Sequence, residues 1–419
     1  MARQLLPLAA LLLGSGFLLL AGGMNSLILP VRGEQEGFSA ASLGLLGTGW
    51  AIGYVLGCLQ TPYLVAKVGH VRSFGVMCAL AAITVLLSLL LMTPWVWIPL
   101  RAVSGFCFAG AAMIVESWLN ERTDSTSRGR VFGIYTMVNL AASTAGQMLL
   151  VTGDTSGYFF FVLAAIVYCA ALLPTAISAG ATPAALVSVS LDMPGLWRNS
   201  PVAVFSVFMV GISNAAFGTL AAVYASRAGL DVSGIAFFAS IPILAGALAQ
   251  IPVGALSDRF DRRVVLIGVA VIALAADGLF VLFAPTEEWA LLLLIAVFGA
   301  TVFSMYPVIV AHASDHAAPG AFIQVSGGLL LVYGIGSIVG PTIAGFAMTN
   351  VGTSSLFVTT GSAHVLLILF AVLRIKIAPP VAEKDKVAFQ PAPLPRAATP
   401  ETANLASEEN AVAGENREL

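Results

Sequence analysis

Arg101 stands inside an apolar run, Arg101-Ala102-Val103-Ser104-Gly105-Phe106-Cys107-Phe108-Ala109-Gly110. A guanidinium at the centre of a membrane helix costs about 2.5–3.5 kcal/mol on insertion scales, so a charge kept there needs a partner, a cavity or an interface. Two roles fit it. It is either a cavity-facing cation for an anionic substrate group or for proton coupling, or a side chain snorkelling to the interface beside Trp95 and Trp97. Gly105 and Ala109 follow at i+4 and i+8 and put a close-packing stripe beside it. Glu116, fifteen residues on, is rotated by about 60° and displaced by about 22 Å along the same helix, so the two cannot pair directly. Glu116 is either a protonatable carboxyl or a partner for Arg122, Arg128 or Arg130. Asp277, in a later apolar run, reads as locally hydrogen-bonded.

Other chemistries lack their residues. His312 and His316 stand at i and i+4, a spacing that can face a metal, but no third ligand group accompanies them, so no metal is expected. Cys58, Cys78, Cys107 and Cys169 sit in apolar stretches without paired spacing and read as small hydrophobes. There is no GxxxxGK[ST] loop for ATP, and no HExxH or GxSxG. The expectation is neither an enzyme nor a cofactor protein, and no nucleic-acid partner.

The elements that must position these residues follow from composition. Of 419 residues 58% are hydrophobic and 10% charged, against about 25% charged in soluble domains; mean hydropathy is +0.95. A spanning helix needs about 20 mostly apolar residues, and the backbone must satisfy its own hydrogen bonds in lipid. Twelve such stretches are predicted: 6–30, 42–66, 73–93, 96–119, 130–151 and 157–177, then 201–225, 235–256, 264–284, 288–311, 322–348 and 355–375. The first continues past residue 25 without a small-residue cleavage site and is read as a retained span. Between the two sets, residues 178–200 form a polar connector with Thr182-Pro183 and Asp192-Met193-Pro194. Residues 377–419, rich in Pro, Ala and Glu, are predicted to be a disordered tail.

Lys and Arg near span ends set the orientation. Even-numbered turns carry Lys67 and Arg72, then Arg122, Arg128 and Arg130, then Arg198, then Arg259, Arg262 and Arg263; the tail adds Arg374 and Lys376. Odd turns carry only Arg32 and Arg227, among acids such as Glu34, Glu36, Asp154 and Asp231. Both termini are therefore expected to be cytoplasmic.

The densest charge cluster, Gly254-Ala255-Leu256-Ser257-Asp258-Arg259-Phe260-Asp261-Arg262-Arg263, joins two apolar runs and has a weaker copy at Pro62 to Arg72. Gly254 permits close helix approach, Asp258 suits a helix amino end, and Asp315 is the nearest acid for the arginines. A second repeat signal is Thr93-Pro94-Trp95 after span three against Ala284-Pro285, Glu288 and Trp289 after span nine. Two related halves of six helices about an axis along the membrane normal are a transporter architecture.

On these residues the chain resembles the major facilitator superfamily, whose turn between spans two and three, echoed between eight and nine, reads GxxxDRxGRR. Gly254, Asp258, Arg259, Arg262 and Arg263 match it, with Asp261 at its glycine. In the first copy Pro62 and Ala66 replace glycine and aspartate, while Lys67, Gly69 and Arg72 remain. Val115-Glu116-Ser117 with Arg128-Gly129-Arg130 looks like the bacterial YcaD-type branch, and Arg101 with Gly105 is similar to the family's RxxxG pattern on span four. The antiporter-type glycine signature on span five is replaced by Asn139 to Gln147.

The resemblance implies an all-α fold of two six-helix bundles, residues 1–177 and 201–376, related by a pseudo-twofold axis. It implies a cytoplasmic latch at the charged turns, borne chiefly by the second because Ala66 lacks a carboxylate. It places spans one, four, seven and ten around a cavity, hence Asn25, Arg101, Ser213, Asn214, Tyr224, Ser304 and Tyr306. Gly49, Gly53 and Gly57 in span two, and Gly336, Gly340, Pro341 and Gly345 in span eleven, form small stripes read as gate helices meeting across the halves. The expected function is secondary active transport of a small organic solute by alternating access, coupled to an ion, with the proton first in line. The chain is expected as a monomer in the bilayer of a bacterial inner membrane. Alternatives are a receptor built on the transporter fold and, within transport, a nutrient importer rather than an efflux pump.

Overall fold

The computed structural model describes residues 2–123, 128–177, 192–318 and 321–377, and in the tail 379, 381, 386, 387, 389 and 398–402. Residues 178–191 of the connector, with Thr182-Pro183, lie outside the described residues.

Fourteen α-helices follow one another among these residues. They are α1 (Ala2–Gln35), α2 (Ala40–Val68), α3 (His70–Leu90), α4 (Pro94–Glu121), α5 (Arg128–Met148), α6 (Phe159–Ala170) and α7 (Leu172–Ile177). Then come α8 (Met193–Asn199), α9 (Pro201–Arg227), α10 (Val232–Arg259), α11 (Arg262–Phe283), α12 (Glu288–Ser314), α13 (Phe322–Asn350) and α14 (Ser355–Ile375). Among the described residues 12 helices are long and apolar enough to cross a membrane, α6 running into α7 as one of them. Each predicted span has its helix, with ends moved by a few residues because capping, rather than hydropathy, decides where a helix starts and stops.

Three starts are set by aspartates. Asp192 accepts from Gly195 N at the head of α8 (2.9 Å), Asp231 from Gly234 N at the head of α10 (2.8 Å) and Asp261 from Arg263 N at the head of α11 (2.9 Å). Each satisfies an amide that the helix itself leaves open. The hydrogen bond from Gly234 holds the Asp231 carboxyl below the usual carboxylate range.

The chain divides into two compact units. The first holds Met1–Glu36, Gly49–Val189 and Ala397–Leu419; the second holds Gly37–Thr48 and Ser190–Arg396. In the first, α1 packs on α5 and α6, and α3 on α4; in the second, α9 packs on α13 and α14, α10 on α12, and α11 on α12 and α14.

The glycine stripes work inside these units. A Cβ on Gly57 would stand 2.7 Å from the Phe106 carbonyl oxygen and one on Gly49 2.7 Å from that of Ile98, so the α2 stripe seats that helix on α4. Likewise a Cβ on Gly336 would come within 3.2 Å of the Gly211 Cα, and one on Gly340 within 2.8 Å of the Ile212 Cα. These two glycines bring α13 onto α9, whereas Pro341 and Gly345 receive Gly44 in the first turns of α2. Helices α2 and α13, read as meeting gate helices, do meet, at Gly44 against Pro341 and at Thr48, which donates to the Ile338 carbonyl (2.7 Å), while the rest of each stripe faces a helix of its own unit. The spacing marks a face that permits backbone contact, and a neighbour in the same unit occupies most of that face.

The described residues of the tail depart from expectation as well. Val387 N donates to Asp315 Oδ1 (2.9 Å), Phe389 N to Asp258 Oδ1 (3.0 Å), and Lys386 Nζ to the carbonyls of Phe260 (2.6 Å) and Asp258 (3.2 Å). Residues 398–402 dock in the first unit, where Tyr54 donates to the Ala398 carbonyl (2.6 Å). A composition rule weighs apolar content and predicts disorder. These residues hold their places because their amides and hydroxyls satisfy carboxylates and helix ends.

Candidate functional site

In the first unit, Asn25 on α1, Arg101 on α4 and Tyr168 on α6 gather. Asn25 and Tyr168 are buried. The Asn25 side chain lies beside the Tyr168 hydroxyl, and the Arg101 guanidinium is close enough for its charge to act on that phenol. Asn25 Oδ1 has no hydrogen-bond partner. Gly22, one turn before Asn25 on α1, makes the room: a Cβ there would stand 3.2 Å from Phe108 Cε2 and 3.7 Å from the Tyr168 hydroxyl. Arg101 is half-buried. Of the tryptophans proposed to hold it at an interface, Trp95 is exposed. Trp97 is fully buried, donating to the Ser88 carbonyl (2.8 Å), so it forms no part of an interfacial belt. Gly105 abuts the Trp50 backbone and Ala109 faces Gly57, as the stripe beside Arg101 requires.

Further along α4 lies Glu116, with 1% of its surface exposed. Tyr135 on α5 donates to its Oε1 (3.0 Å), Thr402 donates to Oε2 (2.9 Å), and Thr399 donates to Oε2 as well. Behind Tyr135 the polar chain continues through Asn139 and Ser15, Ser15 donating to Asn139 Oδ1 (2.7 Å). Neither alternative read from the sequence anticipates these hydroxyl partners. Two of them come from the tail, more than 280 positions away, which no local pattern can reveal. Tyr135, Asn139, Ser15 and Tyr168 are the members that sequence reasoning missed. Their one signal was a polar side chain inside an apolar run, shared with many residues that bond only their own helix.

In the second unit, Asn214 on α9 is 1% exposed, and neither its Nδ2 nor its Oδ1 has a partner. Ser213 beside it contacts His364 Nε2 (3.0 Å). Asp277 on α11 is hydrogen-bonded, as expected, accepting from Thr360 (2.6 Å) and pairing with His364 Nδ1 (2.7 Å). Tyr224 sits in an aromatic cage, with ring centroids 4.8 Å from Phe357, 5.7 Å from Phe280 and 5.8 Å from Phe238. Tyr306 meets Tyr333 edge-on at 5.8 Å. Ser304 donates to the Thr301 carbonyl of its own helix (2.9 Å).

The charged turn of the second unit is a built ion cluster. Arg262 is 1% exposed and bonds Asp315 twice, Nε to Oδ2 at 2.6 Å and Nη2 to Oδ1 at 3.2 Å. Its Nη1 donates to Ser257 (2.9 Å) and more weakly to Asp258 (3.4 Å). Arg263 turns back to Asp261 (2.7 Å). Burial alone would raise the Asp261 carboxyl, but the Arg263 hydrogen bonds and charge outweigh it and hold it below the usual range. Arg259 is exposed. Gly254 faces the Phe389 ring, leaving no room for a side chain. In the first turn Lys67 and Arg72 are exposed and Gly69 has φ +89°. His316 Nδ1 faces the His312 carbonyl of its own helix (2.9 Å).

The sequence profile described as Major Facilitator Superfamily matches residues 11–199 and 203–407. An MFS-type transporter, YcaD, of Salmonella arizonae is 27% identical over 367 residues, 87% of this chain and 94% of its own length. YcaD of Escherichia coli K12 is 26% identical over 366 residues, with the same coverage. Among solved structures, the nucleoside transporter NupG superposes with TM-score 0.70 at 16% identity, covering 90% of this chain and all of its own. A bacterial homolog of the human lysosomal transporter Spinster gives 0.68 at 17%, covering 92% and 98%.

Proposed function

The chain belongs to the Major Facilitator Superfamily, and from that premise we propose that it is a proton-coupled secondary transporter moving a small, largely uncharged organic solute by alternating access. The observation that carries the reading is Asn214. An amide 1% exposed with neither polar atom partnered carries a desolvation cost of about 1–3 kcal/mol, which a ligand with one donor and one acceptor would remove. Asn25 Oδ1 is a second such atom, in the cluster that holds Arg101. Asn25, Arg101 and Asn214 would bind the solute, Arg101 through an electron-rich oxygen or ring. Tyr224 and Tyr306 would shape the apolar walls. Glu116, a buried carboxyl ringed by hydroxyls, is the coupling group of the first unit. The arginine-rich turn at Gly254 to Arg263 would act as the latch on the cytoplasmic side, with both termini on that side of a bacterial inner membrane.

The test is a thermal-shift screen of the purified protein against solute libraries at two pH values, followed by uptake of each hit into proteoliposomes with and without a pH gradient. A solute that stabilises the wild type but not Asn214→Ala, and accumulates down the gradient, is the expected result. If no stabilising solute is transported, or transport ignores the gradient, the reading fails.

A further inference from the structure

Asp277, His364, Ser213 and Thr360 form a closed polar cluster in the second unit that the proposed solute and latch sites do not use. His364 and Ser213 are 0% exposed and Asp277 is 1% exposed. His364 is the hub: Nδ1 lies 2.7 Å from Asp277 Oδ2 and Nε2 3.0 Å from Ser213 Oγ. Thr360, one turn before His364 on α14, fills the other carboxylate oxygen at 2.6 Å. Gly361 lets α14 and α11 approach, since a Cβ there would stand 3.3 Å from the Asp277 Cβ.

Among the described residues, the other charges on the helices that carry or meet this cluster stand far along those helices. On α11 itself Arg263 lies fourteen residues from Asp277, about 21 Å along the helix. On α14 Arg374 lies ten residues from His364, about 15 Å away along the axis. On α9 the nearest charge is Arg227, fourteen residues from Ser213, again about 21 Å. From α12 the group that meets His364 is the Phe298 ring (6.3 Å), with Glu288 ten and His312 fourteen residues removed along that helix. Helix α13 carries no Asp, Glu, Lys, Arg or His between Phe322 and Asn350; its one titratable group is Tyr333. Tyr224 on α9 is the remaining titratable side chain of the neighbourhood, within its Phe cage.

The proton inventory of this geometry is short. With a neutral imidazole, Nδ1–H donates to the Asp277 carboxylate and Nε2 accepts from the Ser213 hydroxyl, leaving the cluster one negative charge. Adding a proton at Nε2 makes an imidazolium paired with the carboxylate; Nε2–H then donates to Ser213 Oγ, whose hydroxyl turns to a carbonyl of its own helix. The cluster is now neutral, and no heavy atom has moved. An unpaired charge in this dry site is costly while a paired one is tolerated. The closed arrangement therefore favours the loaded form, and release needs the helices to part and admit water.

We propose that the Asp277–His364 pair, with Ser213 at its outer nitrogen, is a proton-binding site of the second unit that takes up and returns one proton in each transport cycle. This rests on the proton-coupled reading above and names a site for it. Ser213 adjoins the unpartnered Asn214 amide, so solute occupancy at Asn214 and the proton at His364 bear on the same turn of α9.

The experiment uses the full chain in lipid nanodiscs with 15N-labelled histidine, read from about pH 5 to 9, the window of an imidazole switch. Subtracting the spectrum of His364→Gln isolates the ring. Ser213→Ala, which leaves the pair itself intact, gives a second assignment through Nε2 alone. A change between the two protonation states of the His364 ring is expected within this range, and it should be altered in Asp277→Asn, where the paired carboxylate is gone. A ring that keeps one protonation state across the range overturns the site. In proteoliposomes, His364→Gln should lose most gradient-driven uptake while keeping solute exchange at equal pH. Equal loss of both, in a protein that folds, reduces the cluster to a packing role and also overturns it. Gradient-driven wild-type transport beside a pH-silent His364 sinks this site alone. Wild-type transport that ignores the gradient sinks the coupled reading itself.

Discussion

Arg101 and Glu116 share one helix and differ in what surrounds them. Arg101 is half-buried beside Tyr168 and the incompletely satisfied Asn25. Glu116 is enclosed by three hydroxyl donors. A cation whose neighbours keep spare acceptors is placed to meet a ligand, so Arg101→Ala is expected to abolish transport while membrane expression and thermal stability stay near wild type. Arg101→Lys, lacking the planar fork, should recover only part of the rate. Full activity in Arg101→Ala, measured in proteoliposomes, would remove Arg101 from the solute path. Glu116→Gln keeps the shape and most hydrogen bonds, so its expected effect is selective: uptake driven by a pH gradient falls while exchange at equal pH persists. At this scale the sequence was only partly legible. Arg101 announces itself because a charge in an apolar run is costly. Tyr168 and His364 do not, since a lone Tyr or His in such a run reads equally well as a core residue. The partner that decides the matter, Asp277 for His364, lies 87 positions away.

Helix ends and turns tell a different story, because there the spacing carried most of the meaning. The two charged turns place Gly69 and Asp261 at the same motif position, and both are N-cap residues, of α3 and α11. Gly69 has φ +89°, where a side chain would be strained. Asp261 has φ −55°, so a carboxylate is free to replace glycine there, cap the helix and hold Arg263. Asp261→Ala removes the cap and should cost about 0.5–2 kcal/mol, read as a lower unfolding midpoint. Because the native Asp261 pKa is depressed, its contribution is present above the ordinary carboxylate pKa and is lost as pH falls through the native value. The deficit of the variant should therefore shrink on acidification. Arg262 is a harsher case. Its pair with Asp315 is 1% and 2% exposed, and Arg262→Ala strands a buried carboxylate at a cost of about 3–5 kcal/mol. Restoring stability by Asp315→Asn in that background would tie the loss to the stranded charge. The sequence named Asp315 as the arginines' nearest acid. It could not say that Arg263 would fold back on Asp261 instead.

For the whole molecule, hydropathy and charge bias made twelve helices and two halves readable, because lipid leaves the backbone few alternatives. The tail was not readable by the same logic. Beside the Phe389 ring packed on Gly254, its described residues hold on through polar atoms: Val387 N on Asp315, Phe389 N on Asp258, Lys386 on the carbonyls ending α10, and Thr399 and Thr402 on Glu116. Each of these partners is a carboxylate or a helix end that would otherwise seek water. Deleting everything after Ile377 should therefore act in two separable ways. In the second unit, Asp258 and Asp315 each lose an amide donor; at about 1.5–3 kcal/mol for a hydrogen bond to a charged group, the unfolding midpoint should fall, less steeply in Asp258→Asn, where one lost bond no longer involves a charge. In the first unit, Glu116 loses two of its three hydroxyl donors and becomes open to reagents. Modification of Glu116 by a water-soluble carbodiimide should therefore accelerate in the truncated chain, and Thr399→Val with Thr402→Val in the full chain should reproduce that acceleration without the loss of stability. Unchanged Glu116 reactivity after truncation would mean that the tail hydroxyls do not shield the carboxyl in the membrane.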